Sequence, residues 1–166
     1  MRKMAMSATD SPNYRGAKEA ADKLTSIYTA PSVPVIEIAE QNGVNVLFVD
    51  MGKFKDEIAG FCDFQAARLY VNKDDIPARQ MFTIAHELGH WILHRDAFLA
   101  NPDKYPVLPR FQKTDESNAF EKEANSFASN LLVPDKLLEP VKGAPVAALA
   151  DVFGVSRTMM EFRLKR

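Results

Sequence analysis

Two histidines and a glutamate lie within five consecutive residues of the sequence, in the stretch HELGH from His86 to His90. Residues four apart are neighbours on a helix surface, so both imidazoles point at one spot if this segment is helical. They would supply two of the three protein ligands of a catalytic zinc ion, and Glu87 is displaced enough to hold the attacking water and take its proton. The pattern predicts metal-dependent hydrolysis; the alternative is an ordinary helix with two surface histidines.

The residues around this motif predict a long amphipathic helix over about 78–94. On a helical wheel, His86 and His90 lie opposite an apolar arc centred on Leu88. The other members of the arc are Met81, Ile84, Ala85, Trp91 and Ile92. Gly89 inside this helix costs on the order of 1 kcal/mol relative to alanine, which indicates that another element approaches closely there.

The third ligand is expected from a second helix, predicted over about 117–132. Glu121 falls inside the apolar arc of that helix, whereas Glu123 falls outside it. A carboxylate that faces a core is costly unless it is paired or bound to a metal, so we prefer Glu121 to Glu123 and Glu116. The alternatives are that Glu121 reaches water at the rim, or that His94 is the ligand. His94 shares a ridge with His86, and it is more readily explained by packing or capping near the helix end.

Asn125 lies four residues after Glu121, on the same side of the second helix. Its amide is placed to accept a hydrogen bond from the outer N–H of a metal-bound histidine, a contact that fixes the ring tautomer. The alternative is an ordinary surface amide. Two histidines and a carboxylate with an open position suit zinc first, ahead of manganese or iron.

The overall composition is that of a globular protein. The chain has 166 residues, of which 46% are hydrophobic and 26% charged, and its net charge of −1 gives no indication of a nucleic-acid or anionic-membrane partner. The single cysteine excludes an internal disulfide framework and fits a reducing compartment. The N-terminus lacks the apolar run of a signal peptide, and no stretch approaches the length of a membrane span. We therefore expect a cytoplasmic protein.

The remaining sequence predicts a mixed α+β fold. The predicted elements are a helix over 14–29, a short helix that ends at Asn42-Gly43, a strand over 44–50, a two-stranded hairpin over 58–72, helices over 78–94 and 117–132, and a loop with three prolines over 95–114. We expect a flexible tail at 1–11, a metallopeptidase-like domain at 12–134 and a small helical subdomain at 135–166. The subdomain has two short helices joined at Gly154, with Ser156 as an N-cap.

Three stretches, RLYVN, FTIAHELGHWILH and FEKEANSFASNLLVP, resemble in that order the ImmA/IrrE family of zinc metallopeptidases. They span about 40% of the chain, and the pattern E-x-x-A-N-x-F-A-x-x-L-L-x-P is far more specific than HExxH alone. The resemblance implies zinc bound by His86, His90 and Glu121, with Glu87 as the catalytic base. It also implies a reduced gluzincin-like fold, with a small, mostly antiparallel sheet beside the HExxH helix and RLYVN as the edge strand along which a peptide lies.

The resemblance also implies a substrate. Many family members cleave helix-turn-helix repressors in phage-like elements or stress responses, so we expect a zinc-dependent endopeptidase with such a repressor as its partner. Some members carry their own N-terminal helix-turn-helix domain, which we do not expect here because the N-terminal part of this sequence is too short for one. Family members often have aspartate at the position of Asn125, so this sequence departs mildly from the family pattern there.

Two points stay open in the sequence. The donor to the developing oxyanion is either Tyr70 or His94, and the residues do not choose between them. The main alternative function is a non-catalytic module of the same fold that binds a repressor or antitoxin partner without cleaving it. An intact HELGH favours the enzyme, because a pure binder has no need of Glu87. The basic end, with Arg163, Lys165 and Arg166, is too weak a signal to predict DNA binding.

Overall fold

The structure of the chain is a computed structural model, which describes residues 11–100, the backbone of 110–111, and residues 119–165. The helices are α1 (Tyr14–Thr25), α2 (Val35–Gln41), α3 (Pro77–Ala100), α4 (Ala119–Leu132), α5 (Asp135–Leu138), α6 (Val146–Phe153) and α7 (Arg157–Leu164), and the strands are β1 (Asn45–Val49), β2 (Ile58–Asp63), β3 (Arg68–Asn72) and β4 (Arg110–Phe111). The predicted mixed α+β fold is confirmed, whereas the predicted tail at 1–11 lies almost wholly outside the described residues.

The strands form one small sheet in the order β1-β3-β2-β4. β3 is parallel to β1 and antiparallel to β2, and β2 is antiparallel to β4. The sheet is therefore mostly antiparallel, as predicted. The prediction that RLYVN is an edge strand is wrong, because β3 lies between β1 and β2. The hairpin of β2 and β3 can be predicted from sequence. β1, in contrast, pairs with the other side of β3 in parallel, and such a non-local pairing leaves no local turn signal.

Helix α3 lies between the sheet and α4. Its residues Ile84 and Leu88 are fully buried in a core that includes Leu69 and Val71 of β3. The opposite side of α3 is also buried from residue 83 to residue 91, so the alternative of an ordinary helix with two surface histidines is wrong. The sheet and α4 together cover α3 and shield its histidines from bulk water. No helix in the described parts of the chain is long and apolar enough to cross a membrane.

The end of α3 differs from the prediction. The helix continues to Ala100 instead of ending near residue 94, so the predicted loop is wrong for residues 95 to 100. Phe98 extends the buried ridge by one more turn, and its ring packs against Phe120 of α4 with centroids 5.4 Å apart. This packing stabilises the last turn of α3. The sequence prediction relied on the prolines that follow and therefore placed the end of the helix too early. Most of the remaining predicted loop lies outside the described residues, but residues 110–111 form strand β4, so the loop prediction is wrong there too.

The C-terminal helices follow the predicted pattern. Gly154 ends α6 in the left-handed conformation at φ 71°, and the Ser156 side chain caps α7 by accepting a hydrogen bond from the Met159 N–H at 3.1 Å. α1 and α2 are also present, although α1 ends at Thr25 instead of residue 29. The domain boundary at 134/135 stays a prediction.

A buried arginine ties α7 to the end of α4. Arg163 is 4% exposed, and its guanidinium donates to the Val133 carbonyl at 2.8 Å and to Asp135 Oδ1 at 2.6 Å. This residue is therefore part of the packing and does not present its charge to a nucleic acid. Lys165 is exposed, and Arg166 lies outside the described residues.

Candidate metal centre

The two helices bring together the three residues that the sequence selected. His86 and His90 of α3 and Glu121 of α4 each offer one ligand atom, and these atoms lie within 4.8 Å of one another. His86 Nε2 is 3.0 Å from Glu121 Oε2, and His90 Nε2 is 3.1 Å from Glu121 Oε1. Ligand atoms about 2.0–2.1 Å from a tetrahedral zinc ion are about 3.3 Å apart. The donor set and its spacing therefore fit a divalent metal ion.

Gly89 explains how Glu121 reaches the histidines. A Cβ atom added at Gly89 would lie 3.0 Å from Phe127 Cδ1 and 3.3 Å from the Ala124 Cα atom. The two helices thus touch at this glycine, which confirms the close approach predicted from the sequence. Glu121 lies one turn before Ala124 on α4, and this contact sets its distance from α3.

Asn125 fixes the tautomer of His86. The Nδ1 atom of His86 is 2.8 Å from Asn125 Oδ1. An amide oxygen only accepts hydrogen bonds, so His86 Nδ1 carries the proton and donates it. The lone pair is then on Nε2, the nitrogen that faces Glu121. The contact predicted for Asn125 is present in the structure.

A longer chain of hydrogen bonds fixes the tautomer of His90. His90 Nδ1 is 2.8 Å from His94 Nδ1, and His94 Nε2 is 2.9 Å from Glu123 Oε1. An ionised carboxylate only accepts, so a neutral His94 ring donates from Nε2 and accepts at Nδ1 from the His90 N–H. This places the second lone pair on His90 Nε2, which also faces Glu121. Both histidines thus direct an unprotonated nitrogen at the same point.

Sequence reasoning missed the role of Glu123. The helical wheel placed it outside the apolar arc, yet it is 5% exposed. The reason is that α1 packs over this side of α4, and the Asn13 backbone N–H donates to Glu123 Oε2 at 2.9 Å. One signal in the sequence pointed to a partner such as Glu123. His94 continues the ridge of His86 and His90 by one more turn, so a third histidine lies on the same side of α3. The other carboxylate weighed at sequence level, Glu116, lies outside the described residues.

Glu87 is 2% exposed on α3, beside the candidate ligands. Tyr70 is elsewhere: its ring stacks on Phe61 with centroids 4.8 Å apart, on the sheet face opposite to the buried Leu69 and Val71. The structure therefore does not bring Tyr70 to the cluster. It gives no support to Tyr70 as a donor to the oxyanion.

An open groove of about 890 Å³ runs beside the cluster. It meets the cluster at Asn125 and at Phe82, whose ring centroid is 6.1 Å from that of His86. Its apolar walls include Ile76 at the start of α3 and Phe162 on α7, which are 61% and 49% exposed. The charged residues in its described lining are Lys122 and Arg79, and Arg79 is paired with Asp75 at 3.1 Å.

Comparison with known proteins places this geometry in a family. The family model of the M78 peptidases, described as the IrrE N-terminal-like domain, matches residues 39–165. The chain belongs to this family. Metallopeptidase ImmA of Bacillus subtilis (strain 168) is 26% identical over 136 residues, which cover 80% of this chain and 75% of that protein. The family resemblance seen in the sequence motifs is confirmed.

A solved structure has the same fold. The structure of a transcriptional regulator of Mycobacterium tuberculosis superposes with a TM-score of 0.65 at 18% sequence identity, over 90% of this chain. The match covers 46% of the regulator, so the present chain spans less than half the length of that protein. The likeness therefore establishes the shared fold of the IrrE-like domain.

Proposed function

We propose that this member of the M78 family is a zinc-dependent endopeptidase, in which His86, His90 and Glu121 hold the metal and Glu87 acts as the base. The observation that carries the proposal is the buried cluster, in which both histidines turn an Nε2 lone pair toward one carboxylate. Two histidines, one carboxylate and an open position form the ligand set of many catalytic zinc sites. Zinc bound there would polarise the scissile carbonyl and lower the pKa of the attacking water.

Glu87 performs the proton transfers in this proposal. It takes a proton from the attacking water and passes it to the leaving amine. Glu87 is 2% exposed and follows the candidate ligand His86 directly on α3, so a carboxylate is available beside the candidate ligands to take the proton. Neighbouring helices keep bulk water from this side of α3, which strengthens electrostatic interactions within the site.

The substrate of this proposal is a polypeptide, and the motif resemblance points to a helix-turn-helix repressor. The groove beside the cluster supports a polypeptide substrate, because it is open, has apolar walls and continues from Asn125 to α7. Lys122 in its lining favours a substrate segment with an acidic side chain. α7 forms one wall, so the predicted subdomain at 135–166 would help to seat the substrate.

The test measures metal content and cleavage in the same preparations. Wild type purified without added metal should contain about one zinc ion per chain, and Glu121→Ala should lose it. A helix-turn-helix repressor encoded beside this protein should be cut by wild type, while Glu87→Gln should keep the metal and lose the cleavage. Absence of zinc from wild type after zinc is offered would contradict the proposal.

The same preparations separate the enzyme from the non-catalytic module. A binding module would form a stable complex with the repressor, produce no fragments and be unaffected by Glu87→Gln. Mass spectrometry of the repressor after incubation distinguishes the two outcomes directly.

A further inference from the structure

A chain of three buried side chains leads away from the candidate metal centre, from His90 through His94 to Glu123. We propose that His94 and Glu123 are positioning residues, which hold His90 in the one tautomer that leaves its Nε2 lone pair available to a metal. This inference rests on the proposed metal site. It assigns a role at the candidate metal centre to two residues that the helical wheel did not select.

This hydrogen-bonded series of side chains sets the His90 tautomer because its two ends differ chemically. Glu123 is an acceptor at one end, and with one proton on each imidazole only one arrangement makes both contacts hydrogen bonds: His90 donates from Nδ1 to His94, and His94 donates from Nε2 to Glu123. In the opposite tautomer, the His90 Nε2 proton would point at Glu121 Oε1, which is 3.1 Å away. That proton would occupy the lone pair needed for a metal. His94 disfavours this state by supplying an acceptor on the other side of the ring.

The burial of the chain makes this preference strong. His90, His94 and Glu123 are 0%, 2% and 5% exposed, so water does not readily replace a lost partner. The second oxygen of Glu123 accepts from the Asn13 N–H at the start of α1. Glu123 is thereby held from two sides, and α1 fixes the outer end of the chain.

The two candidate histidine ligands are therefore held by different means. His86 donates to the neutral amide of Asn125, whereas His90 is linked through His94 to a carboxylate. A carboxylate behind a histidine ligand raises the basicity of that ligand.

The first experiment reads the tautomer without any metal. In metal-free protein labelled with ¹⁵N, the imidazole nitrogen shifts should show His90 with its proton on Nδ1. His94→Phe keeps a ring that packs against Phe98 and Phe120 but removes the acceptor, and should move the His90 proton to Nε2. His90 protonated on Nε2 in the wild type, or unchanged in His94→Phe, would overturn the proposal.

The second experiment measures zinc affinity by competition with a chelator. His94→Phe should weaken the Kd by about 10- to 100-fold, the range typical of lost supporting contacts behind a metal ligand. His94→Asn, whose amide oxygen can replace Nδ1 as the acceptor, should recover part of that loss. Glu123→Gln keeps the size of the side chain and removes its charge, and it should fall between wild type and His94→Phe.

These results separate the inference from the proposed function. If wild type binds no zinc, the proposed function fails, but the tautomer measurement still tests whether His94 and Glu123 set the His90 tautomer. If wild type binds zinc and folded His94→Phe and Glu123→Gln bind it equally well, the inference fails and the metal site stands. Circular dichroism of the metal-free variants establishes that they are folded.

Discussion

Gly89 of α3 and Phe127 of α4 are in such close contact that a methyl group on Gly89 would lie 3.0 Å from the Phe127 ring. Both helices carry candidate metal ligands, so this contact sets the distance between Glu121 and the histidines. A glycine that weakens the helix by about 1 kcal/mol thus makes the assembly of the site feasible.

Gly89→Ala should separate α3 from α4. The added methyl group also meets the Ala124 backbone at 3.3 Å, which cannot move as a side chain can. We expect the free energy of unfolding to fall by about 1–2 kcal/mol after the gain in helix propensity, and zinc affinity to fall at least about tenfold. Urea denaturation and chelator competition measure the two effects.

Gly143→Ala is the matched control for this change. A Cβ atom at Gly143 would meet nothing within 4 Å, so both quantities should stay at wild-type values. Unchanged zinc affinity in Gly89→Ala would show that the helix spacing does not govern the site.

The sequence predicted the site better than the surroundings of the site. His86, His90 and Glu121 follow from local periodicity, because helical spacing alone decides which side chains share a face. Glu123 was misjudged because α1, more than 100 residues away in sequence, covers the side of α4 that carries it. Burial created by a distant element leaves no periodic signal in the buried helix itself.

The sheet shows the same limit. The hairpin of β2 and β3 was predicted from two adjacent apolar runs, whereas the position of β3 inside the sheet depends on its parallel pairing with β1. The tautomers of His86 and His90 also require the structure, because they depend on which acceptors lie behind the rings. Asn125 was identified from its spacing, but His94 and Glu123 act only as a pair.

Glu87→Gln should slow cleavage severely while leaving metal binding intact. The amide has nearly the size of the carboxylate but cannot take up a proton, so we expect the rate to fall by about 10²- to 10⁴-fold. Glu40→Gln, on the exposed end of α2, is the control and should be fully active. Cleavage that persists in Glu87→Gln at the wild-type rate would assign the base elsewhere.

Phe162→Ala should weaken substrate binding more than turnover. The side chain lines the groove and is 49% exposed, so it is available to cover an apolar residue of a substrate. A loss of about 1–2 kcal/mol corresponds to a KM about 5- to 30-fold higher with kcat nearly unchanged. Val152→Ala, on α6 and 52% exposed, is the control. Equal KM values for the two variants would argue against the groove as the seat of the substrate.

Arg163→Met should loosen the C-terminal helices. Methionine keeps an apolar side chain of similar length, but it leaves the Val133 carbonyl without the donor that the guanidinium supplies at 2.8 Å. We expect the free energy of unfolding to fall by about 2–4 kcal/mol, measured by urea denaturation. Lys165→Met changes an exposed charge next to it and should have little effect.

Asp135 makes this attachment of α7 sensitive to acid. Burial raises the pKa of its carboxyl, but hydrogen bonds from Arg163 and Lys18 outweigh that effect and hold the pKa below its usual value of 3.8. A group whose pKa is lower in the folded state stabilises it above the unfolded pKa, and this contribution disappears as the pH falls through the folded pKa. The Asp135 side chain is 58% exposed, so solvent keeps the effect small.

Asp135→Asn tests this sign. The free energy of unfolding of the variant should be lower than that of wild type at pH 6, and the difference should shrink as the pH is lowered below 3.8. Urea denaturation at pH 6 and pH 3 gives both differences, and Asp151→Asn, exposed on α6, serves as the control. A difference between variant and wild type that grows in acid would mean that Asp135 does not stabilise the folded state through its charge.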